Sequence, residues 1–299
     1  MSVQKKNAVT GRLALLVTTL IWGSSFVVLK NTLETVPTFY VLAFRFSGAA
    51  VLMLLLGIKD LKDFNKGYLF SGALMGAALF AGYSLQTYGL YFTTPAKNAF
   101  LTTTYCVIVP FIYWAWEKKR PDAYSVSAAF ICLIGVGFVS LEKDFSVNMG
   151  DLLTVSCGLF YAIHIVMTSR FVKGRSIVLL TMTQFAFAGA FAWIFALITS
   201  PFPVHMSATN VESIAFLCVM CTAVCFVLQT FGQKYTPPST AAIILTLESV
   251  FGAAFSVLIY HERMSLKLVI GFVLIFSAVL TCETKLGFLK HREKLEETI

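Results

Sequence analysis

Three ionisable side chains sit well inside long apolar runs of this 299-residue chain: Arg45, His164 and Glu248. Charge in a hydrocarbon core costs at least about 2.5 to 3.5 kcal/mol, so each such group needs a partner, a neutralising proton or a wet cavity. Glu248 could carry a proton or bind a cation, or it could fix helix packing as a neutral or ion-paired group. The planar guanidinium of Arg45 suits a carboxylate bidentately, which makes it a candidate for an amino-acid or organic-acid headgroup. The alternatives are an Arg45 to Glu248 pair or satisfaction by helix carbonyls. His164 could relay protons, or it could simply be hydrogen-bonded inside the bundle.

Other side chains could complete a site around these three. Gln86 and Gln229 both donate and accept, and either line a cavity or tie helices together. Trp22, Tyr83 and Tyr161 could wall a cavity and stack on aromatic or cationic ligands. Pro95 and the pair Pro237 and Pro238 separate adjacent runs and start the following helices, which makes them candidate hinges. Cys218, Cys221 and Cys225 share one helix face but have no His or carboxylate alongside, so the reading is small hydrophobes rather than a metal site. No disulfide framework is expected from the seven cysteines. A phosphate-binding glycine loop is missing from the sequence, and no cofactor is expected.

The elements that must position these residues are membrane helices. Hydrophobic residues make up 58% of the chain and charged ones 13%, where a soluble domain carries about 25%; a soluble enzyme is excluded. A net charge of +8 scattered over short segments does not make the single basic face that nucleic acid requires. Runs long enough to cross a bilayer lie at roughly 12–31, 38–58, 67–91, 97–116, 124–141, 150–169, 177–198, 211–233, 239–259 and 265–284. The first has no small-residue cleavage site and is expected to stay as a helix. The expectation is an all-α polytopic membrane protein with ten transmembrane helices.

Basic residues orient it. With the N-terminus inside, seventeen lie in inside segments, in clusters such as Lys59, Lys62 and Lys66, Arg170, Lys173 and Arg175, and Lys285 to Lys294. Five lie outside: Lys30, Lys97, Lys143, Arg263 and Lys267. Both termini are therefore expected to be cytoplasmic, in the cell membrane.

The chain also repeats. Leu85-Gln86-Thr87-Tyr88-Gly89 recurs as Leu228-Gln229-Thr230-Phe231-Gly232, and at the same offset of 143 Thr93, Pro95, Ala99 and Thr103 recur as Thr236, Pro238, Ala242 and Thr246. Earlier in each half the offset is 139, so that Gly11, Phe46 and Ala49 fall on Gly150, Phe185 and Ala188. Five spans per repeat is an odd number, so the second copy enters the membrane from the opposite face. The expected organisation is two inverted five-helix repeats, 1–146 and 147–286, around a central cavity, with a cytoplasmic tail at 287–299. Inverted repeats can exchange inward-open and outward-open states around a midplane site, which is the property of a transporter.

In these features the sequence resembles the EamA-type members of the drug/metabolite transporter superfamily, over nearly its whole length. The resemblance rests on Trp22-Gly23-Ser24-Ser25-Phe26, Thr94-Pro95-Ala96, Pro237-Pro238-Ser239-Thr240-Ala241-Ala242, Leu247-Glu248-Ser249-Val250-Phe251, and the acids Glu117 and Glu262 that close two spans. The family pattern has Pro after the glutamate and Gly before the closing acid, where this chain has Ser249 and His261. The resemblance implies secondary transport by alternating access and export of small metabolites, often amino acids or drugs. Sugars, nucleosides or cationic drugs are the alternative substrates, and a receptor or interaction protein without transport is the alternative of another class. A membrane enzyme would need a catalytic cluster or a sizeable extramembrane domain. The implied partners are a small-molecule substrate, the lipid bilayer and, as a candidate coupling ion, the proton.

Overall fold

The computed structural model describes residues 3–118, 120, 123–140 and 147–284; the expected tail at 287–299 and Lys143 lie outside them. The first half contains α1 (Val3–Thr32), α2 (Thr38–Leu56), a 3-10 turn (Asp60–Asp63), α3 (Lys66–Phe92), α4 (Pro95–Thr102), α5 (Tyr105–Glu117) and α6 (Ala123–Ser140). The second contains α7 (Met149–Phe171), α8 (Ile177–Thr199), α9 (Ala208–Cys218), a π-helical segment (Val219–Val224), α10 (Cys225–Tyr235), α11 (Pro238–Ile259) and α12 (Leu266–Thr284). Because α4 and α5 form one span, as do α9 and α10, eight long apolar spans result, and two shorter apolar stretches at Val126–Val139 and Leu266–Thr281 complete the ten.

Short polar side chains start these helices. Asn65, Thr94, Asn148, Ser176 and Ser207 each accept a hydrogen bond from a backbone N–H of the first turn, using donors that the helix itself leaves unpaired. Pro95 and Pro238 occupy first-turn positions, where a missing N–H costs nothing. Outward-facing side chains such as Leu56, Ile198 and Leu258 are more than two-thirds exposed in the isolated chain, as a lipid-facing surface requires.

Two spans expected to be unbroken, 97–116 and 211–233, are interrupted. Between α4 and α5, Thr103 and Thr104 turn their hydroxyls back onto the carbonyls of Phe100 and Leu101, at 2.7 and 2.8 Å. Such back-bonding competes with the regular ladder. In the π segment, Thr222 Oγ1 donates to Leu217 O, five residues earlier, at 2.8 Å. Hydropathy does not change across either break, which is why the apolar pattern runs straight through both.

The inversion is visible at helix ends. Lys30, near the end of α1, donates to Leu90 O and Thr93 O at the end of α3, at 2.8 and 2.9 Å. Gly150, at the start of α7, packs on Gly89 of the same end of α3. Helix α7 therefore begins on the side where α1 finishes. The repeat-mate contact, Gly11 of α1 against Gly232 of α10, lies at the opposite side. Helices α2 and α8, α4 and α11, and α6 and α12 pair across the pseudo-twofold axis, and ring contacts of Phe185 with Phe46 and Phe226 lie beside it.

The paired glycines set the distance between the halves. A Cβ on Gly89 would lie 2.8 Å from Gly150 O, and one on Gly232 would lie 2.8 Å from Gly11 O and 2.5 Å from Leu15 Cγ. These are helix backbones in close approach, as small residues permit in membranes. Gly89→Val or Gly232→Val is expected to destabilise by about 1 to 3 kcal/mol through overpacking, measured as thermal unfolding of the purified protein. Leu55→Val on the lipid face should leave it unchanged, and equal losses at the two kinds of position would refute this account of the glycines.

Candidate functional site

A cavity at the pseudo-twofold axis brings together all eight side chains that the sequence nominates as substrate or coupling groups: Trp22, Arg45, Tyr83, Gln86, Tyr161, His164, Gln229 and Glu248. Most of its wall consists of repeat mates. Trp22 faces the cavity with Tyr161, Ser25 with His164, Tyr83 with Phe226, Gln86 with Gln229, and Tyr105 with Glu248. Its volume is 40 Å³, against the roughly 10 to 15 Å³ that one water needs, so this space has room for waters and not for a metabolite.

Arg45 is 1% exposed. Its Nε donates to Thr222 Oγ1, and its Nη2 donates to Tyr83 OH at 3.2 Å and to Cys221 O at 3.3 Å. The guanidinium also lies 4.5 Å from the centre of the Tyr83 ring. Two of these acceptors come from the π segment. Among the described residues Arg45 makes no ion pair, so the considered Arg45 to Glu248 pair does not form; hydroxyls and a helix carbonyl hold the cation instead. Glu248, 5% exposed, accepts a hydrogen bond from Tyr105 OH at 3.2 Å across the axis. Tyr105 was absent from the candidates, although the offset of 143 that relates it to Glu248 pointed to it.

The remaining candidates divide. Gln86 Nε2 donates to Thr102 Oγ1 at 3.0 Å, and its Oε1 accepts from Tyr161 OH at 2.8 Å. His164 Nε2 is 2.7 Å from Gln184 Oε1, and Gln184 is the repeat mate of Arg45. Trp22 donates its indole N–H to Cys221 O at 2.8 Å and meets Phe226 edge-on at 5.3 Å. Tyr83 and Tyr161 cross edge to face at 5.5 Å.

The two ends of the bundle differ. At the end of Thr94, five polar contacts on two carboxylates close it. Lys97 pairs with Asp151 at 2.8 Å, with Asp151 fully buried. Thr93 donates to the other oxygen of Asp151 at 2.6 Å. Glu262 accepts from Thr94 at 2.5 Å, from the Ala96 N–H at 3.1 Å and from Ser256 at 2.5 Å. Pro95 thus sits inside a polar clasp joining α4, α7 and the end of α11. Asp151 and Lys97 were not among the nominated site residues, because a lysine at a span end reads as ordinary.

At the other end the mates of Asp151 and Lys97 are Arg12 and Thr240, and Arg12 is exposed. Here Pro237 and Pro238 border a vestibule of 470 Å³, together with Trp116, Arg170, Lys173 and Gln233. Gln233 and Ser169 lie one helical turn beyond the cavity residues Gln229 and Ile165, so the vestibule approaches the central cavity from this side.

The EamA-like transporter family matches twice, over residues 9–141 and 148–282. The chain belongs to the EamA-like transporter family. This EamA protein is 36% identical over 275 residues to an "Uncharacterized transporter" of Archaeoglobus fulgidus, covering 90% of this chain and 84% of that one. It is 25% identical over 271 residues to "Uncharacterized transporter YoaV" of Bacillus subtilis, covering 88% and 93%. A solved crystal structure superimposes with a TM-score of 0.69 at 15% identity, covering 91% of this chain and 95% of the other, which is a likeness of fold. The chain is thus a multi-pass membrane transporter and not an enzyme.

Removing one member of a buried pair leaves the other uncompensated. Asp151→Asn is therefore expected to cost about 3 to 5 kcal/mol, and Lys97→Met with Asp151→Leu to recover most of that loss, in thermal unfolding of the purified protein. A double variant as unstable as the single one would show that the pair is not what holds this end.

Proposed function

We propose that this EamA-family transporter exports small organic metabolites, such as amino acids or drug-like compounds, by alternating access. The observation that carries the reading is a guanidinium and a carboxyl group, Arg45 and Glu248, lining one cavity at the repeat axis without bonding to each other. A molecule bearing a carboxylate could exchange the weak neutral acceptors of Arg45 for a bidentate charged one. Glu248 is free to face an ammonium group or to take up a proton that couples transport.

Orientation follows from charge. Arg170, Lys173 and Lys234 lie around the vestibule, and the positive-inside rule puts that side in the cytoplasm. On this reading the vestibule lies on the cytoplasmic side and the clasp closes the outer one, with Pro95, Pro237 and Pro238 as the hinges about which the halves exchange states. The proton is the coupling ion this reading names.

The test is counterflow in proteoliposomes with labelled L-leucine, succinate, D-ribose and putrescine, against empty liposomes. Exchange of the amino acid is the expected result. Exchange of ribose or putrescine alone would move the substrate to sugars or amines, and silence of folded, inserted protein across all four would count against carrier function. Arg45→Ala should remove exchange of carboxylate-bearing probes selectively; equal loss for uncharged ones would make Arg45 structural. Exchange by the wild type should depend on pH and Glu248→Gln should flatten that dependence, whereas an unchanged profile would remove Glu248 from coupling.

A further inference from the structure

The two repeat-mate glutamines of the cavity have the same chemistry and opposite surroundings. Gln86 spends both ends of its amide on the protein, donating to Thr102 and accepting from Tyr161, and so ties α3 to α4 and α7. The residues at the corresponding positions around Gln229 are Leu245, mate of Thr102, and Trp22, mate of Tyr161. Leu245 has no polar atom, and the Trp22 indole donates to Cys221 O instead. Gln229 is consequently left 2% exposed, lining the cavity, with its Oε1 buried and without a hydrogen-bond partner.

A buried amide oxygen with no partner is destabilising, and leucine or methionine would fill the same place without that cost. Neither neighbouring position gives the amide oxygen a donor, yet the residue here is glutamine. A destabilising polar group kept in a binding cavity is the signature of a site that is completed by its ligand.

We infer that Gln229 reads the substrate, its amide oxygen accepting a hydrogen bond from an N–H or O–H donor of the transported molecule, while Gln86 is a structural tie. This rests on the transport reading above and sharpens it. The solute must carry at least one donor besides any group that engages Arg45, and a site built around such a bond discriminates strongly against analogues that lack the donor.

The test compares Gln229→Met with Gln86→Met, which are similar in volume, by two readouts. In thermal unfolding of the purified protein, Gln229→Met should have a Tm equal to or above that of wild type, and Gln86→Met should lose about 3 °C or more. In counterflow with the same four probes, Gln229→Met should raise KM for the exchanged probe by about tenfold. A loss of Tm at Gln229→Met as large as at Gln86→Met overturns the inference, because the amide would then be a tie as well. An unchanged KM where wild type exchanges a probe overturns it too. Silence of folded wild type in counterflow would count against the transport reading alone, and the Tm comparison would still decide whether the Gln229 amide has a structural partner.

Discussion

A guanidinium enclosed within a membrane bundle and given no carboxylate has to find its hydrogen-bond acceptors in the protein itself. Much of the centre of this transporter follows from that requirement at Arg45. A regular α-helix spends its carbonyls on its own ladder, so a neighbouring helix has little to offer. The π segment at Val219–Val224 loosens that ladder and turns Cys221 O and the Thr222 hydroxyl towards Arg45. The same carbonyl takes the Trp22 indole, and the face and hydroxyl of Tyr83 complete the enclosure. Short π segments inside longer helices often mark functional sites, and here the reason is concrete: the irregularity supplies acceptors.

The pseudo-twofold axis explains why the site is where it is. Two halves that pack through equivalent glycines, Gly89 on Gly150 and Gly232 on Gly11, bring equivalent side chains to face each other at the axis. Tyr105 meets Glu248 there because the two are the same position in each repeat. Chemistry then arises where the mates differ: Arg45 against Gln184, Glu248 against Tyr105, His164 against Ser25. A symmetric cavity would present like groups twice, and charge of like sign in pairs would be costly in so enclosed a space.

Asymmetry of the mates also separates the two ends. Among the described residues the buried clasp of Lys97, Asp151 and Glu262 has as its counterpart at the other end only an exposed ion pair, Arg170 with Glu117 at 3.6 Å, so one end is joined by buried polar contacts and the other stands open as a vestibule. Inverted repeats make two states of similar energy possible. On the proposed alternating-access reading, unequal polar contacts at the ends would bias which of them is occupied.

The apolar runs, their number and the duplicated Leu-Gln-Thr-aromatic-Gly segment determined, from the sequence by itself, a ten-span inverted repeat, because membrane crossing is set by length and hydropathy and the repeat is written in residue order. The same reading nominated Arg45, Glu248 and both glutamines, since polar groups stand out against an apolar background. It could not say that Arg45 rests on Thr222 and Cys221, that Lys97 pairs with Asp151, or that Gln86 is tied while Gln229 is not. Those outcomes depend on which atoms of distant helices come within hydrogen-bond reach. That is decided by helix packing, by the breaks at Thr103 and Val219–Val224 that hydropathy does not register, and by side-chain direction, so only the tertiary structure could supply them.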